Sequence, residues 1–378
     1  MILITSELDS ISAGTPRQIN FVDDFFLNSK ENSYTYINCK LSIINFNKLT
    51  WTKYKLNLLK NGATRAGVNS SKFQEIGRLI KHSFLLDINW ILLLKIPPFL
   101  FINRKLFNSK KKITVIASTP NPSTMLIAVA IKFFFKNARI TLDFRDAWAH
   151  HPNIKRSRSI RKIIEKYLIS KSDKVQTVSR YLKDEFDYQY NISSSLIYNK
   201  PLKIDYLEDE KKYVLNILRK FKNKRVLLYS GNFHSAHYDN ELIIDAINFL
   251  DKNNFIVLIA GSCEWLKSNL NERKISKNVI FFGSSLRYSI VRLMQFNVSG
   301  LLFFAHQGFA NNGVVSTKIF EYIDTGNPIY SLSICDESDL KKILEEKNNI
   351  NINSDKDFKK FFECKPITID NLHHIKSK

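Results

Sequence analysis

Acidic residues are scarce in this chain. Its 378 residues carry 35 Asp+Glu against 57 Lys+Arg, a formal net charge of +22. Such an excess rules out indifference to anions and points to nucleic acid, anionic lipid or a phosphorylated substrate without choosing among them. Cysteine is scarcer still. Cys39, Cys263, Cys335 and Cys364 lie far apart and form no C-x-x-C pair, which argues against a zinc knuckle or a thioredoxin-like redox site and fits reduced thiols in a cytoplasmic protein. The two histidines His234 and His237 have no third ligand at a metal-binding spacing, so neither a metal nor any other cofactor is expected. Met1 to Glu7 offers no basic segment and no apolar core, so no signal peptide is expected. Long apolar runs are also missing: the best, 84–101, is broken by Asp87, Lys95 and Pro97-Pro98, whereas a bilayer span needs about 20 apolar residues. No base-reading motif accompanies the charge, so nucleic acid is not an expected partner.

What is present supports packed cores. Hydrophobic residues make up 44% of the chain, and at roughly one domain per 150 residues the length predicts two domains. Short β-rich runs alternate with helical patterns throughout, the pattern of α/β folds with mainly parallel sheets. The first series of strands is predicted at 2–5, 34–38, 113–118, 139–143, 174–178 and 196–199. The second is predicted at 225–230, 255–261, 278–282, 298–304, 328–332 and 349–352. Pro201 to Asp205 reads as the linker. The expected organisation is therefore an N-terminal Rossmann-like domain over 1–200, a C-terminal one over 201–345, and a helical tail over 346–378 that returns to the first domain. Open α/β sheets bind ligands at the carboxyl ends of their strands, so a cleft between the two domains is the expected site.

Three stretches carry candidate chemistry. Val314 to Pro328 reads as a short helix, with Ser316 as N-cap, Val315 and Phe320 as a hydrophobic staple and Gly326 with Pro328 as the stop. Lys318 and Glu321 fall three apart near its N-terminus, either as a surface ion pair or as a cation for diphosphate and an acceptor for ribose hydroxyls. Asp143 to Pro152, at the end of a predicted strand, gathers Arg145, Asp146, Trp148, His150 and His151. Asp146 or His150 is the right chemical type for proton transfer, with Arg17, Arg145 and His151 as acceptor-side candidates; a helix cap is the alternative for Asp146. Gly14 before one helix and Gly231 after the strand ending in Tyr229-Ser230 would admit a ligand close to backbone, with His234 nearby.

Segment 40–112 stands apart: it holds 15 Lys+Arg and only two acids, Glu75 and Asp87, for a net +13, together with Trp51, Tyr54, Trp90 and the apolar runs 91–94 and 99–101. Basic residues beside aromatic ones suit an anionic membrane surface, and the competing reading makes the apolar residues core of the first domain. A second basic run, 155–162, opens a further helix.

The chain also resembles a known family in several ordered motifs. Asp143-Phe144-Arg145-Asp146-Ala147-Trp148 is similar to the D-x-R-D-x-W element of a subset of bacterial GT-B glycosyltransferases of the family-four type. Ser172-Asp173-Lys174-Val175, Thr177-Val178-Ser179, Ile197-Tyr198-Asn199, Tyr229-Ser230-Gly231, Ile259-Ala260-Gly261, Ile280 to Gly283 and Lys318 to Tyr322 follow in the family's order, covering roughly residues 1–340. This resemblance implies an α/β GT-B fold and a metal-independent, retaining transferase that takes a nucleoside-diphosphate sugar. It implies Lys318 at the diphosphate, Glu321 at the ribose, and backbone near Gly283 and Ser284 at the base. The acceptor would be lipid-linked or a growing surface glycan such as lipopolysaccharide or capsule, with the protein peripheral to the inner face of the plasma membrane. One departure concerns the family's paired glutamates: Gly313 stands where the first would be, so Asn311 or Asn312 would have to substitute. A GT-B sugar-nucleotide epimerase and a non-catalytic binder of nucleic acid or anionic lipid are the alternatives.

Overall fold

In the computed structural model the described residues are 1–4, 15–28, 33–37, 43–61, 90–107, 113–119, 122–146, 148–149, 158–233, 235–275, 277–283, 286–306, 315–334, 339–345, 347 and 349–367. They form two compact units, whose main boundary falls between Asn199 and Lys200; of the residues before it, 15–16 and 57–61 group with the second unit.

The first unit is a seven-stranded sheet in the order β3-β2-β1-β4-β5-β6-β7. Its strands are β1 (Ile2–Ile4), β2 (Ser33–Ile37), β3 (Ile43–Asn47), β4 (Ile113–Ser118), β5 (Ala138–Phe144), β6 (Lys174–Thr177) and β7 (Ser195–Leu196). All neighbours run parallel except β2 and β3, which pair antiparallel with Ile37 opposite Ile43. Its helices are α1 (Thr15–Asn28), α2 (Lys48–Asn61), α3 (Trp90–Ile102), α4 (Arg104–Phe107), α5 (Pro122–Phe134), α6 (Arg158–Lys171) and α7 (Arg180–Tyr190). Val115, Ile140, Leu142 and Phe144 of the sheet pack with Met125, Ala128 and Ile131 of α5 and Phe186 of α7 into one core. Segment 40–112 thus divides in function: β3 extends the sheet, and Ile96 and Leu100 of α3 join the core.

The second unit is a six-stranded, wholly parallel sheet in the order β10-β9-β8-β11-β12-β13. The strands are β8 (Val226–Ser230), β9 (Ile256–Ala260), β10 (Val279–Gly283), β11 (Gly300–Phe304), β12 (Ile329–Leu332) and β13 (Asn349–Ile352). The helices are α8 (Glu208–Arg219), α9 (Asn240–Lys252), α10 (Glu264–Glu272), α11 (Tyr288–Asn297), α12 (Thr317–Thr325) and α13 (Asp339–Glu345). Every residue of β8, β9 and β11 is buried, as expected for strands covered on both faces, where the sequence reads as continuous apolar runs rather than alternation. Counted from β8, the strand order is the doubly wound 3-2-1-4-5-6, and it reverses between β8 and β11.

The tail differs from its expectation of a helix returning to the first domain. Asn349–Ile352 is the sixth strand of the second sheet, and Asp355–Glu363 is a 3-10 segment. Phe358 and Phe361 bury themselves there, with Phe358 5.4 Å from Phe249 of α9 and Phe361 5.1 Å from Tyr330 of β12. The aromatic residues of the tail find their apolar partners in the unit they follow, and that holds this part of the tail in place; residues 368–378 lie outside the described set.

Candidate functional site

Strand order makes the carboxyl ends of β8 and β11, where the winding reverses, the candidate ligand site of the second unit, and the chain there is built for close approach. The three neighbouring strands β8, β9 and β10 each run into a glycine. Gly231 follows β8 with φ +132°, and Gly261 follows β9 with φ +136°; both lie in backbone regions that side chains rarely adopt. They also press together. A Cβ on Gly261 would stand 2.2 Å from the Gly231 carbonyl oxygen, so no other residue fits without moving the backbone. Gly231 N–H donates to the Ala260 carbonyl at 2.8 Å and Gly261 N–H to the Gly283 carbonyl at 2.8 Å, which locks the three strand ends into one rim. Gly283 has open space around it.

Helix α12 brings its side chains to this rim. Val315 and Ile319 are buried in the core and Phe320 packs beside them, Ser316 occupies the N-cap without a side-chain bond, and Gly326 ends the helix. Lys318 leans across to β8. Its Nζ lies 3.2 Å from the Tyr229 hydroxyl and 4.5 Å from the centroid of that ring, and 2.7 Å from where a Cβ on Gly231 would be. Burial lowers the Lys318 ammonium from its ordinary value to about 8, opposed by Cys263 and Glu321.

Glu321, one turn on, faces elsewhere. It is 9% exposed; its Oε1 accepts from the Tyr288 hydroxyl at 2.6 Å and its Oε2 from Gln295 Nε2 at 3.3 Å. The two side chains are therefore not the ion pair that their spacing allows. Glu321 is held by α11, Lys318 by the end of β8. Arg292 ties the helices together by donating to the Glu321 carbonyl at 2.7 Å and pairing with Asp324 at 2.5 Å. Tyr322 accepts from Ser230 N–H at 2.9 Å, which pins α12 to β8.

Sequence reasoning missed His306, which comes two residues after β11 and so sits on the other side of the same switch point. Its ring stacks on that of His237, 5.5 Å between centroids, and its Nε2 lies 3.2 Å from the Tyr238 hydroxyl. Gly261 was also missed as a site residue; the signal available was a glycine closing each of three successive strands.

In the first unit, the residues at the carboxyl end of β5 and just beyond it separate into two kinds. Asp143 is fully buried. It accepts from Arg17 Nη2 at 2.5 Å, from Arg17 Nε at 3.1 and 3.0 Å, and from Ser118 Oγ at 2.9 Å, while Arg17 Nη1 donates to the Ile197 carbonyl at 2.6 Å. Arg17, read from sequence as acceptor-side, is thus 2% exposed and occupied in the interior. Arg145 and Asp146 are half-buried; Arg145 N–H donates to Thr119 Oγ1 at 2.9 Å, at the end of β4. Trp148 is buried under the Arg161 guanidinium, 5.4 Å away. Gly14, His150, His151, His234, Ser284 and Asn312 lie outside the described residues. No cluster of metal-binding side chains occurs among those described.

Glu165 of α6 supports this loop from beneath. Its Oε2 accepts from Ala149 N–H at 3.2 Å and its Oε1 from the Tyr190 hydroxyl at 2.5 Å, and burial raises its carboxyl to about 7. The folded state therefore holds a proton that the unfolded chain has released between about pH 4.5 and 7, so stability falls as pH rises through that window. Glu165→Gln, which carries no charge to bury, is expected to flatten this slope and to gain about 3 kcal/mol over the parent above pH 7. Urea melts at a series of pH values check this, and parallel curves for the two proteins would contradict it.

Neither a family model nor a curated relative matches the sequence. Solved structures do. A glycosyltransferase from Rickettsia africae aligns at TM-score 0.59 and 12% identity, over 98% of this chain and 95% of that one. Anabaena HepE in complex with UDP and glucose aligns at 0.58 and 11%, over 96% and 88%. The lipopolysaccharide outer core galactosyltransferase WaaB aligns at 0.53 and 15%, over 99% and 89%. At this level of identity the likeness is one of fold, and it spans the whole chain: two parallel-sheet, Rossmann-like units in the arrangement of strands found in GT-B glycosyltransferase structures.

Proposed function

We propose that the chain is a glycosyltransferase that takes a nucleoside-diphosphate sugar, holds its diphosphate at Lys318 and the glycine rim, and holds its ribose at Glu321. The observation that carries this reading is the Lys318 ammonium, in the first turn of α12, poised over Gly231 at the switch point of the second sheet. When a glycosidic bond to diphosphate breaks, the leaving group gains negative charge. A cation and helix N–H groups fixed beforehand offset that charge without reorganising, which lowers the barrier. Glu321 is already oriented by Tyr288 and Gln295, and a carboxylate with two accepted bonds keeps lone pairs for two ribose hydroxyls. The acceptor in this reading is a lipid-linked or growing surface glycan. Configuration is retained, no metal is bound, and the protein works at the inner face of the plasma membrane. Within this reading the chain belongs to the family-four subset, for which the support is its resemblance to the D-x-R-D-x-W element at Asp143 to Trp148. HepE solved with UDP and WaaB named for the lipopolysaccharide outer core lend support from two proteins of the same fold.

A thermal-shift panel of nucleotides and nucleotide sugars tests it. One class of nucleoside-diphosphate sugar is expected to stabilise the protein, by about 2.7 kcal/mol at a hundredfold excess over Kd. No shift with any donor would remove the proposal, and an altered free sugar released without acceptor would replace it by the epimerase.

A further inference from the structure

Three helices of the first unit share a surface unlike the rest of the described protein. α3 packs on α5, and α5 on α6. Their inward residues, including Ile96, Leu100, Met125, Ile131 and Leu168, belong to the core. Outward, large apolar side chains remain in solvent: Leu94 is 79% exposed, Phe101 69%, Phe133 78% and Ile163 70%. Between the helices lies an open pocket of about 630 Å³ floored by Ile96, Leu126, Val129 and Ala130 and walled by Phe133 and Tyr167. Its volume is in the range of about 300–1,000 Å³ typical of small-molecule sites.

Among the described residues the charge on this face is mainly positive. α3 and α5 contain no Asp or Glu, and the one acid of α6, Glu165, is fully buried on the opposite side. Lys132, Lys136 and Lys171 stand at the pocket rim. Asp173, beyond the end of α6, pairs with Lys132 at 2.6 Å, which among the described residues leaves Lys136 and Lys171 as the rim cations without an ion-pair partner. Apolar walls below a cationic rim match a molecule with a hydrocarbon chain and an anionic head. A nucleic acid would have no use for the phenylalanines, and a second copy of this basic face would repel the first.

We infer that this pocket seats one acyl chain of an anionic bilayer phospholipid, with the lipid phosphate on Lys136 and Lys171 and the surrounding Leu94, Phe101 and Phe133 entering the headgroup boundary. The inference deepens the membrane part of the proposed function. It differs from a diffuse basic surface in having a defined, saturable lipid position.

The full chain is sedimented with vesicles of phosphatidylcholine alone and of phosphatidylcholine mixed with phosphatidylglycerol, and monomeric dihexanoyl-phosphatidylglycerol is counted on it by native mass spectrometry. The parent is expected to pellet only with phosphatidylglycerol present and to retain one lipid per chain. Ala130→Trp fills the pocket without changing charge and is expected to lose the retained lipid and to weaken vesicle partition about tenfold. Lys136→Glu with Lys171→Glu changes only exposed positions and is expected to weaken partition at least about tenfold.

Equal sedimentation with both vesicle types overturns the inference. So does a folded Ala130→Trp protein that binds as the parent does or, should that variant fail to fold, parental binding by the double lysine variant. A solution dimer that ignores vesicles also overturns it. Nucleotide-sugar binding is followed in parallel. Its absence beside intact vesicle binding removes the transferase reading and leaves this site standing, whereas the reverse removes this site alone.

Discussion

Asp143→Ala is expected to cost the first unit about 3–5 kcal/mol, the range for breaking a buried ion pair from one side. The loss arises from what remains. Arg17 cannot shed its charge, is 2% exposed, and is anchored by its Nη1 bond to the Ile197 carbonyl, so the truncation strands a buried cation. Ser118 loses its acceptor as well. Because Asp143 is the penultimate residue of β5, Ser118 ends β4 and Arg17 lies on α1, the pair joins elements that the chain separates by 126 residues, and its loss loosens the carboxyl edge of the sheet where Arg145 and Asp146 emerge. Replacing both partners by apolar residues, Arg17→Met with Asp143→Leu, is expected to cost less than Asp143→Ala alone, since neither charge is then buried. Hydrogen exchange of the β5 amides reports the opening free energy of this unit by itself. A drop below about 1 kcal/mol for Asp143→Ala would mean that the pair behaves as a solvent-exposed one and the assigned role is mistaken.

The same pair shows where sequence reading reaches its limit. Eleven of the twelve predicted strands needed only local information, because buried parallel strands are continuous β-branched and aromatic runs ended by glycine or polar residues; the twelfth, β7, shrinks to two residues. β3 was hidden among lysines, since an antiparallel edge strand needs neither a long apolar run nor a crossover. Helix α12 was legible in its bounds. Its side-chain partners were not: Tyr288 and Gln295 are 33 and 26 residues from Glu321, and Tyr229 is 89 from Lys318. An i,i+3 spacing says that two side chains can meet and nothing about what else competes for them. Arg17 is the clearest case. It reads from sequence as a site residue, yet Asp143, 126 residues further along the chain, is its carboxylate partner, and the two satisfy each other in the interior.

Lys318 is where the functional reading is most exposed to test, because its surroundings make a pH-dependent claim. With the ammonium lowered to about 8 by burial, the unliganded protein begins to lose this cation above about pH 8, well below an ordinary lysine. A bound diphosphate favours the charged form and holds the proton. Binding above that pH therefore requires proton uptake. Affinity for UDP, or for whichever nucleoside diphosphate the donor panel selects, is expected to be flat below about pH 8 and to fall by up to about tenfold per unit between pH 8 and pH 10. The neighbouring groups do not supply a rival titration in that window: burial pushes the Cys263 thiol up to about 12 and raises the Tyr229 and Tyr322 hydroxyls above their ordinary value. Lys318→Arg is expected to keep binding and abolish the pH dependence, since a guanidinium does not titrate there. Lys318→Ala is expected to reduce transfer about 100- to 1,000-fold while the melting profile stays close to the parent's, because the ammonium's burial is itself costly. Isothermal titration across the pH range separates the alternatives. A parent profile that stays flat to pH 10, or a slope that survives in Lys318→Arg, would place the diphosphate away from Lys318 and leave the glycine rim to another part of the donor.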